Sequence, residues 1–212
     1  MDERGTSGRS RYEEELEKLE ASLSRHIATL FGKLKRSVKY DDYGEVASDT
    51  REQVFDEFLK SQKICQFSGS WGIRERLHRR TMKVISEYES SLSSRGVSFE
   101  DFSGNGVDFE HWVAESLRKF GWHTKVTKGS GDQGVDVIAE IDQRRVAIQC
   151  KLYKGSVGNK AVQEVIAGMH HLGLERAAVI SSGTFTRGAY ELAQSTNVML
   201  LSPYEIEALN KI

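Results

Sequence analysis

The chain has 212 residues, of which 38% are hydrophobic, and its 30 basic and 31 acidic residues leave a net charge of -1. This length and composition allow one full hydrophobic core and a smaller second one. The near-neutral charge excludes a nucleic-acid-binding surface spread over the whole molecule, so any such surface has to be local.

The composition also argues against a membrane protein and a disulfide-stabilised protein. No stretch approaches the roughly 18 apolar residues of a membrane-spanning helix, and the N-terminal Met-Asp-Glu-Arg-Gly lacks the apolar segment of a signal peptide. Cys65 and Cys150 are too few for a disulfide framework and lack the spacing of zinc ligands. We therefore expect a cytoplasmic protein that has no membrane partner.

The first 95 residues have the apolar pattern of three helices. Apolar residues recur at steps of three and four along about Tyr12–Lys39, and similar patterns follow at about Asp49–Gln66 and Trp71–Ser94. A leucine seam in the first helix approximates a heptad, but Glu20 and the short run weaken a coiled-coil interpretation. We expect an all-helical domain, a hairpin bundle or a dimer interface, that serves assembly, regulation by a partner protein or target capture.

Basic residues cluster on the third predicted helix. Arg76, Arg80 and Lys83 share a face and are the candidates for nonspecific contacts to nucleic-acid phosphates. Charged faces are also ordinary on the outside of helical bundles, so a simple solvated surface stays open as an alternative.

A change in residue composition separates this domain from the next. Three glycines interrupt the helical periodicity within 96–107, so we predict a linker there, between a helical domain at 1–95 and a second domain at 108–212. The second domain has the predicted order helix, three strands, helix, strand, helix, strand and a final helical turn from Pro203. Apolar strands joined by helices indicate the α/β class, with a mixed sheet flanked by helices.

Two of the predicted strands form a hairpin whose faces differ in chemistry. Asp136 and Gln149 are symmetric about the Asp142-Gln143 step, so a turn there places them opposite each other. Lys151 lies two residues further on and shares their face. The opposite face carries the apolar residues Val135, Val137, Ala139, Val146, Ile148 and Cys150.

The polar face suits metal-dependent hydrolysis of a phosphodiester. Mg²⁺ binds oxygen ligands, which the Asp136 carboxylate, the Gln149 amide and the backbone carbonyl of Cys150 can supply, and Mn²⁺ is expected to substitute. Lys151 would hold the attacking water and the scissile phosphate. Glu115, on the preceding helix, is a candidate second carboxylate that compensates for the neutral Gln149.

Simpler interpretations of these residues stay open. An Asp–Lys pair across a hairpin is often a solvated ion pair that contributes little to stability. Asp132 lies in the glycine-rich segment before the first of these strands. It is either a further acid near the site or, as local turn preferences favour, a turn residue.

Residues 109–208 resemble the catalytic domain of the Mrr-like restriction endonucleases, in the Gln-x-Lys variant of the PD-(D/E)xK nuclease superfamily. The matching stretches are Phe109–Glu115, Phe120–Trp122, Gly131–Ile138 and Ala147–Lys151. The resemblance implies a restriction-endonuclease-like fold with metal binding at Asp136 and an active centre completed by Gln149 and Lys151. It also implies Glu115 as the helix acid and a polar position near the site at Gln163. Because Gln149 replaces the acid of the wider superfamily, metal affinity and metal number are left open.

The resemblance further implies a metal-dependent endonuclease that cuts DNA in defence against foreign DNA. Two cuts on opposite strands are made most simply by two active centres, which favours a homodimer or larger assembly through the helical domain. One alternative is a catalytically weak or inactive nucleic-acid-binding module that keeps the nuclease fold, as the neutral Gln149 suggests. Another is a junction-resolving or RNA-cutting nuclease, because the fold does not dictate the substrate.

Overall fold

The structure is a computed structural model in which the chain forms two compact units, Met1–Ser90 and Ser91–Ile212. The residues that it describes are 10–41, 43–66, 71–100, 102–127 and 134–211. None of the helices in these ranges is long and apolar enough to cross a membrane.

The first unit is built on three helices. They are α1 (Arg11–Arg36), α2 (Arg51–Ser61) and α3 (Trp71–Ser94), and α3 has the bounds expected from its apolar pattern. Helix α1 begins with a capping box, in which the side chain of Ser10 accepts from the Glu13 N–H and the Glu13 side chain accepts from the Ser10 N–H. This reciprocal pair satisfies two of the backbone donors that a helix start leaves unpaired.

A short antiparallel hairpin lies between α1 and α2, where the sequence pattern predicted no strand. Its strands are β1 (Val38–Tyr40) and β2 (Val46–Asp49). Gly44, with a φ of +84°, provides the left-handed conformation in the connecting turn. The predicted first helix ran to Lys39, but the helix ends before Ser37, whose N–H and hydroxyl both bond to the Leu34 carbonyl.

The second unit contains a five-stranded mixed sheet, as the sequence predicted. Its strands are β3 (His123–Val126), β4 (Val137–Ile141), β5 (Arg144–Lys151), β7 (Arg176–Ser181) and β9 (Val198–Leu201), in that spatial order. The first three strands pair antiparallel, whereas β5, β7 and β9 run parallel. A separate parallel pair, β6 (Ser156–Val157) with β8 (Thr184–Phe185), joins the loops that follow β5 and β7.

Helices complete the second unit. They are α4 (Gly106–Lys119), α5 (Asn159–His171), α6 (Arg187–Thr196) and a final 3-10 helix at Pro203–Lys211. Helix α5 buries Val162 and Val165 against Ala147 and Val179 of the sheet. The predicted α/β class, a mixed sheet with helices packed on it, is confirmed.

The β4–β5 hairpin has the register that the sequence predicted. Val137 pairs with Ile148, and the N–H of Asp136 donates to the Ile148 carbonyl at 2.8 Å, so Asp136 lies opposite Gln149. Asp142 takes a φ of +52° in the turn. The apolar face of the hairpin is buried, and β5 presents Gln149 and Lys151 on its other face.

Candidate active site

Asp136 lies immediately before β4, and its carboxylate is held by two donors from β5. Its Oδ2 accepts a hydrogen bond from Gln149 Nε2 at 2.6 Å and another from the Cys150 backbone N–H at 2.6 Å. Asp136 is 7% exposed and Gln149 is 4% exposed. A buried carboxylate of this kind is stabilised by charge-assisted hydrogen bonds, which also fix its orientation.

The side-chain oxygen of Gln149 is buried and accepts no hydrogen bond within the described part of the chain. Leaving a buried acceptor unpaired costs about 1–3 kcal/mol, so this oxygen is suited to a ligand that satisfies it. Amide, carbonyl and carboxylate oxygens are ligands that Mg²⁺ accepts, together with water. The Asp136 carboxylate and the Gln149 side-chain oxygen are therefore ligands of the kind that a hard divalent cation takes, and the Cys150 carbonyl stays a candidate third ligand.

The candidate metal ligands carry little negative charge. Among the described residues no three His, Cys, Asp or Glu side chains are grouped so that they could hold a metal. A site at Asp136 and Gln149 would then bind an ion through one carboxylate, neutral oxygens and water. Such a set suits Mg²⁺ better than Zn²⁺, which prefers nitrogen and sulfur ligands.

Lys151 ends β5 and contacts a residue that the sequence analysis missed. Its Nζ donates to Glu164 Oε2 on α5 at 3.2 Å, and both side chains are about one-third exposed. A Cβ added to Gly134, whose φ is +87°, would lie 2.7–2.8 Å from Glu164 Cβ, C and O. Gly134 is therefore in close contact with the Glu164 backbone. This contact packs α5 against the segment before Asp136.

Helix α5 also carries Gln163, the polar position implied by the family resemblance. Gln163 is exposed, while its neighbour Glu164 is the residue that contacts Lys151. The polar residue that α5 brings to this edge is thus Glu164.

Helix α4 carries two glutamates, Glu110 and Glu115, which point in different directions. Glu115 is more than half exposed and pairs with Arg118 at 2.8 Å and with Lys119 at 3.8 Å. Successive residues of a helix are about 100° apart, so Glu110 and Glu115 point in directions that differ by about 140°. The structure therefore does not bring Glu115 to Asp136, because the face of α4 that meets the sheet is the other one.

Glu110 is half-buried, and its charge acts on the Cys150 thiol. Burial raises the pKa of Cys150 well above its ordinary value, the negative charges of Asp136 and Glu110 raise it further, and Lys151 opposes them. Glu110 therefore lies within electrostatic reach of the strand that carries Gln149 and Lys151. Its position between the buried Phe109 and Val113 was the sequence signal that could have identified it.

The glycine-rich segment before β4 includes Asp132. This residue lies outside the described part of the chain, so its expected role in a turn stays a prediction.

The three basic residues predicted to bind nucleic acid have intramolecular partners in the first unit. Arg80 pairs with Glu20 at 2.8 Å, and the Arg76 guanidinium carbon lies 3.5 Å from the centre of the Tyr12 ring. Lys83 is 3.9 Å from Glu87 on the same helix. Arg76 and Arg80 thus join α3 to α1, and the structure does not present the three as a common free basic surface.

A mixed sheet that carries an acid before β4 and Gln-x-Lys on β5 defines a nuclease domain of the restriction-endonuclease class. Residues 103–209, half of the chain, match the model of the Mrr catalytic-domain family, whose description is "Restriction endonuclease". The chain belongs to this family.

Individual relatives match at low sequence identity. The "Uncharacterized protein C824.03c, mitochondrial" of Schizosaccharomyces pombe is 23% identical over 125 residues, 55% of this chain and 51% of the relative, so the chain spans about half the length of this curated relative. The solved structure of the "Protein of Unknown Function AF1548" is 25% identical, with a TM-score of 0.42 over 46% of this chain and 58% of that one. The MspJI restriction endonuclease in complex with a 27-mer oligonucleotide is 20% identical, with a TM-score of 0.36 over 58% and 30%.

Proposed function

We propose that the chain is a divalent-metal-dependent endonuclease that hydrolyses DNA phosphodiester bonds. The observation that carries the proposal is the buried Asp136–Gln149 pair, with an unsatisfied amide oxygen beside a carboxylate and Lys151 two residues further on. Membership of the restriction-endonuclease family supports hydrolysis as the chemistry and DNA as the substrate.

Asp136, Gln149 Oε1 and the Cys150 carbonyl are the groups that would hold Mg²⁺, for which Mn²⁺ would substitute. A bound ion of this type stabilises the charge that develops on a phosphoryl group and its leaving oxygen. The hydrogen bonds from Gln149 Nε2 and the Cys150 N–H fix the carboxylate of Asp136 before any ligand arrives. This preorganisation reduces the reorganisation that the reaction requires.

Lys151 provides the positive charge at the same edge. Its ammonium has three donors, so it can keep its contact with Glu164 while it donates to a phosphate oxygen and to the attacking water. Glu110 of α4, whose charge reaches the Cys150 thiol, is our candidate for a second carboxylate that compensates for the neutral Gln149. We assign Glu110 this role in place of Glu115.

A cleavage assay on the full chain tests this proposal. We expect nicking or degradation of plasmid DNA in Mg²⁺ or Mn²⁺, no cleavage in EDTA, and loss of cleavage in Asp136→Ala and Lys151→Ala variants that melt like the parent. Duplex DNA, branched DNA and RNA in parallel would distinguish a restriction-type activity from a junction-resolving or RNA-cutting one. If both variants cut as fast as the parent, the assignment of roles is wrong.

A second candidate is a nucleic-acid-binding module without turnover. Two observations favour it: the site carries a neutral residue at Gln149, and the Lys151 ammonium is already paired with Glu164. This candidate predicts metal-independent DNA binding and no cleavage with any divalent ion.

Defence against foreign DNA, in the cytoplasm, is the biological setting that we propose from family membership. The helical first unit would assemble two copies so that both strands of a duplex are cut, or would bind a regulatory partner. Light scattering on the full chain tests assembly, and a strictly monomeric chain at working concentration would remove it.

A further inference from the structure

Tyr153, two residues beyond Lys151, has an exposed ring on a tightly held backbone. The residue is 57% exposed. Its N–H donates to the Ser182 hydroxyl at 2.8 Å, and the same hydroxyl donates to its carbonyl at 3.1 Å. One serine from the loop after β7 thus fixes both polar groups of the Tyr153 backbone.

Two glycines make room for this arrangement. A Cβ at Gly155 would lie 2.9 Å from Cε1 of Tyr153 and 3.5 Å from Cδ1 and Cζ, so the ring rests against the Gly155 backbone. A Cβ at Gly183 would lie 2.8 Å from the Tyr153 carbonyl and would collide with the Gly155 carbonyl. The loops after β5 and β7 can approach this closely because both positions are glycine.

Burial does not account for a ring held in this way. An exposed tyrosine adds little to the core, while an ordered backbone costs conformational entropy. Lys154, the next residue in the chain, is exposed as well, and Lys151 precedes Tyr153 by two residues. An exposed aromatic ring on an ordered backbone, flanked in sequence by two lysines, has the groups that bind single-stranded nucleic acid, through base stacking and phosphate contacts.

We propose that Tyr153 is a stacking platform for an unpaired nucleobase of the DNA strand that Lys151 engages, and that Lys154 contacts a neighbouring phosphate. The choice of DNA as partner rests on the proposed function. Bases in an intact duplex are stacked on each other, so the platform is reached by a single strand or by a base that has left the helix. The platform therefore favours DNA with unpaired bases over uninterrupted duplex.

Affinity measurements in EDTA test the inference without any need for cleavage. The probes are a 12-nucleotide thymidine strand with one central 2-aminopurine, and the same strand annealed to its complement. We expect Tyr153→Ala to weaken binding of the single strand about tenfold, because stacking on one aromatic ring contributes on that order. We expect Tyr153→Phe, which keeps the ring, to bind within about twofold of the parent, as aromatic stacking does not use the hydroxyl.

The fluorescence of 2-aminopurine gives a second readout, which reports base stacking directly. Stacking of 2-aminopurine on Tyr153 should change its emission in the single strand, and this change should persist in Tyr153→Phe and vanish in Tyr153→Ala. The matched control is Tyr190→Ala, an exposed tyrosine on α6 whose ring already contacts Phe185. It should bind like the parent.

Some outcomes would overturn the inference. They are unchanged single-strand affinity in Tyr153→Ala, a Phe variant as weak as the Ala variant, or equal losses for duplex and single strand. Failure of the proposed function gives a different result. A chain that stacks the base but cleaves no DNA would refute the proposed function and leave this inference intact.

Discussion

The Lys151 ammonium lies 3.2 Å from the Glu164 carboxylate, which joins the end of β5 to α5 at the edge of the candidate site. A lysine whose long side chain is held by a fixed anion loses less freedom when it engages a substrate. We therefore expect Glu164 to position Lys151.

Replacing Glu164 with glutamine should slow cleavage without weakening DNA binding. We expect the rate at saturating DNA to fall about tenfold, or about 1.4 kcal/mol in the barrier. Affinity in EDTA should stay constant or rise, because a negative charge near the bound phosphate has been removed. Single-turnover rates and metal-free binding isotherms measure the two effects separately.

The control for this prediction is Glu191→Gln, which removes an exposed glutamate paired with Arg187 on α6. It should leave both quantities unchanged. A Glu164→Gln variant that loses affinity and rate together would show that Glu164 supports the fold and does not position Lys151.

The two glutamates of α4 should differ in their effect on catalysis. Glu110→Gln should lower cleavage about 10–100-fold, the range expected when a residue that supports a metal site is removed. Glu115→Gln removes only exposed pairs with Arg118 and Lys119 and should cut like the parent. Parallel cleavage rates check this ranking, and the reverse ranking would restore Glu115 as the helix acid.

Gly134→Ala should be more destabilising than an ordinary change of glycine to alanine at positive φ. The new Cβ would meet the Glu164 backbone as well as the strained φ, and overpacking adds about 1–3 kcal/mol. Gly173→Ala is the matched control, because its φ is +62° and nothing lies within 4 Å of the new Cβ. Urea denaturation should give similar m-values and a loss about 2 kcal/mol larger for Gly134→Ala; equal losses would mean that α5 moves away freely.

We expect the first unit to lose stability in acid, because the stabilising contribution of the Glu15 carboxylate is lost when it is protonated. This buried carboxylate accepts from Lys18 Nζ at 2.7 Å and from the Cys65 N–H at 2.5 Å. Burial acts to raise its pKa, but these hydrogen bonds and the charges of Lys18 and Arg11 outweigh it and leave the pKa below the ordinary 4.5. Because the folded-state pKa is the lower one, the stabilisation is complete above the unfolded value and is lost as pH falls through the folded value.

Glu15→Gln should therefore cost about 1.5–3 kcal/mol at pH 7, the order expected for hydrogen bonds to a charged group. The difference between parent and variant should shrink as the pH is lowered below 4.5. Denaturant melts across this range measure it, with Glu14→Gln at an exposed neighbouring position as the control. If the difference in unfolding free energy between parent and variant does not change with pH, the loss of stability comes from packing and not from the charge of Glu15.

The hairpin register was predictable because it depends on local information. Two strands of alternating pattern joined at Asp142-Gln143 can pair in one way that buries all their apolar residues, and this places Asp136 opposite Gln149. The bounds of α3 and β9 were predictable for the same reason, since each follows from its own periodicity.

The helix contributions to the site were not predictable in this way. Whether α4 offers Glu110 or Glu115, and whether α5 offers Gln163 or Glu164, depends on the rotation of each helix against the sheet. That rotation is set by contacts between residues far apart in sequence. The β1–β2 hairpin was missed because Val38 continues the apolar pattern of α1, while the helix in fact ends before Ser37.

Gln149→Glu should convert a hydrogen bond into a repulsion that a metal ion relieves. In the parent, Gln149 Nε2 donates to Asp136 Oδ2 at 2.6 Å, whereas a glutamate places two buried carboxylates at that spacing. Without metal the variant should lose about 2–3 kcal/mol, which lowers Tm by about 4–12 °C. Mn²⁺ should raise the Tm of the variant more than that of the parent, because a second carboxylate increases the charge of the ligand set.

The comparison uses thermal melts in EDTA and in Mn²⁺, with two matched variants. Gln143→Glu makes the same change at an exposed turn position and should melt like the parent in both conditions. Asp136→Asn removes the carboxylate and should abolish the Mn²⁺-dependent rise. If Gln149→Glu melts like the parent in EDTA and gains nothing from Mn²⁺, the pair at Asp136 and Gln149 does not bind metal, because the repulsion requires the two carboxylates to lie close together and its relief requires an ion between them.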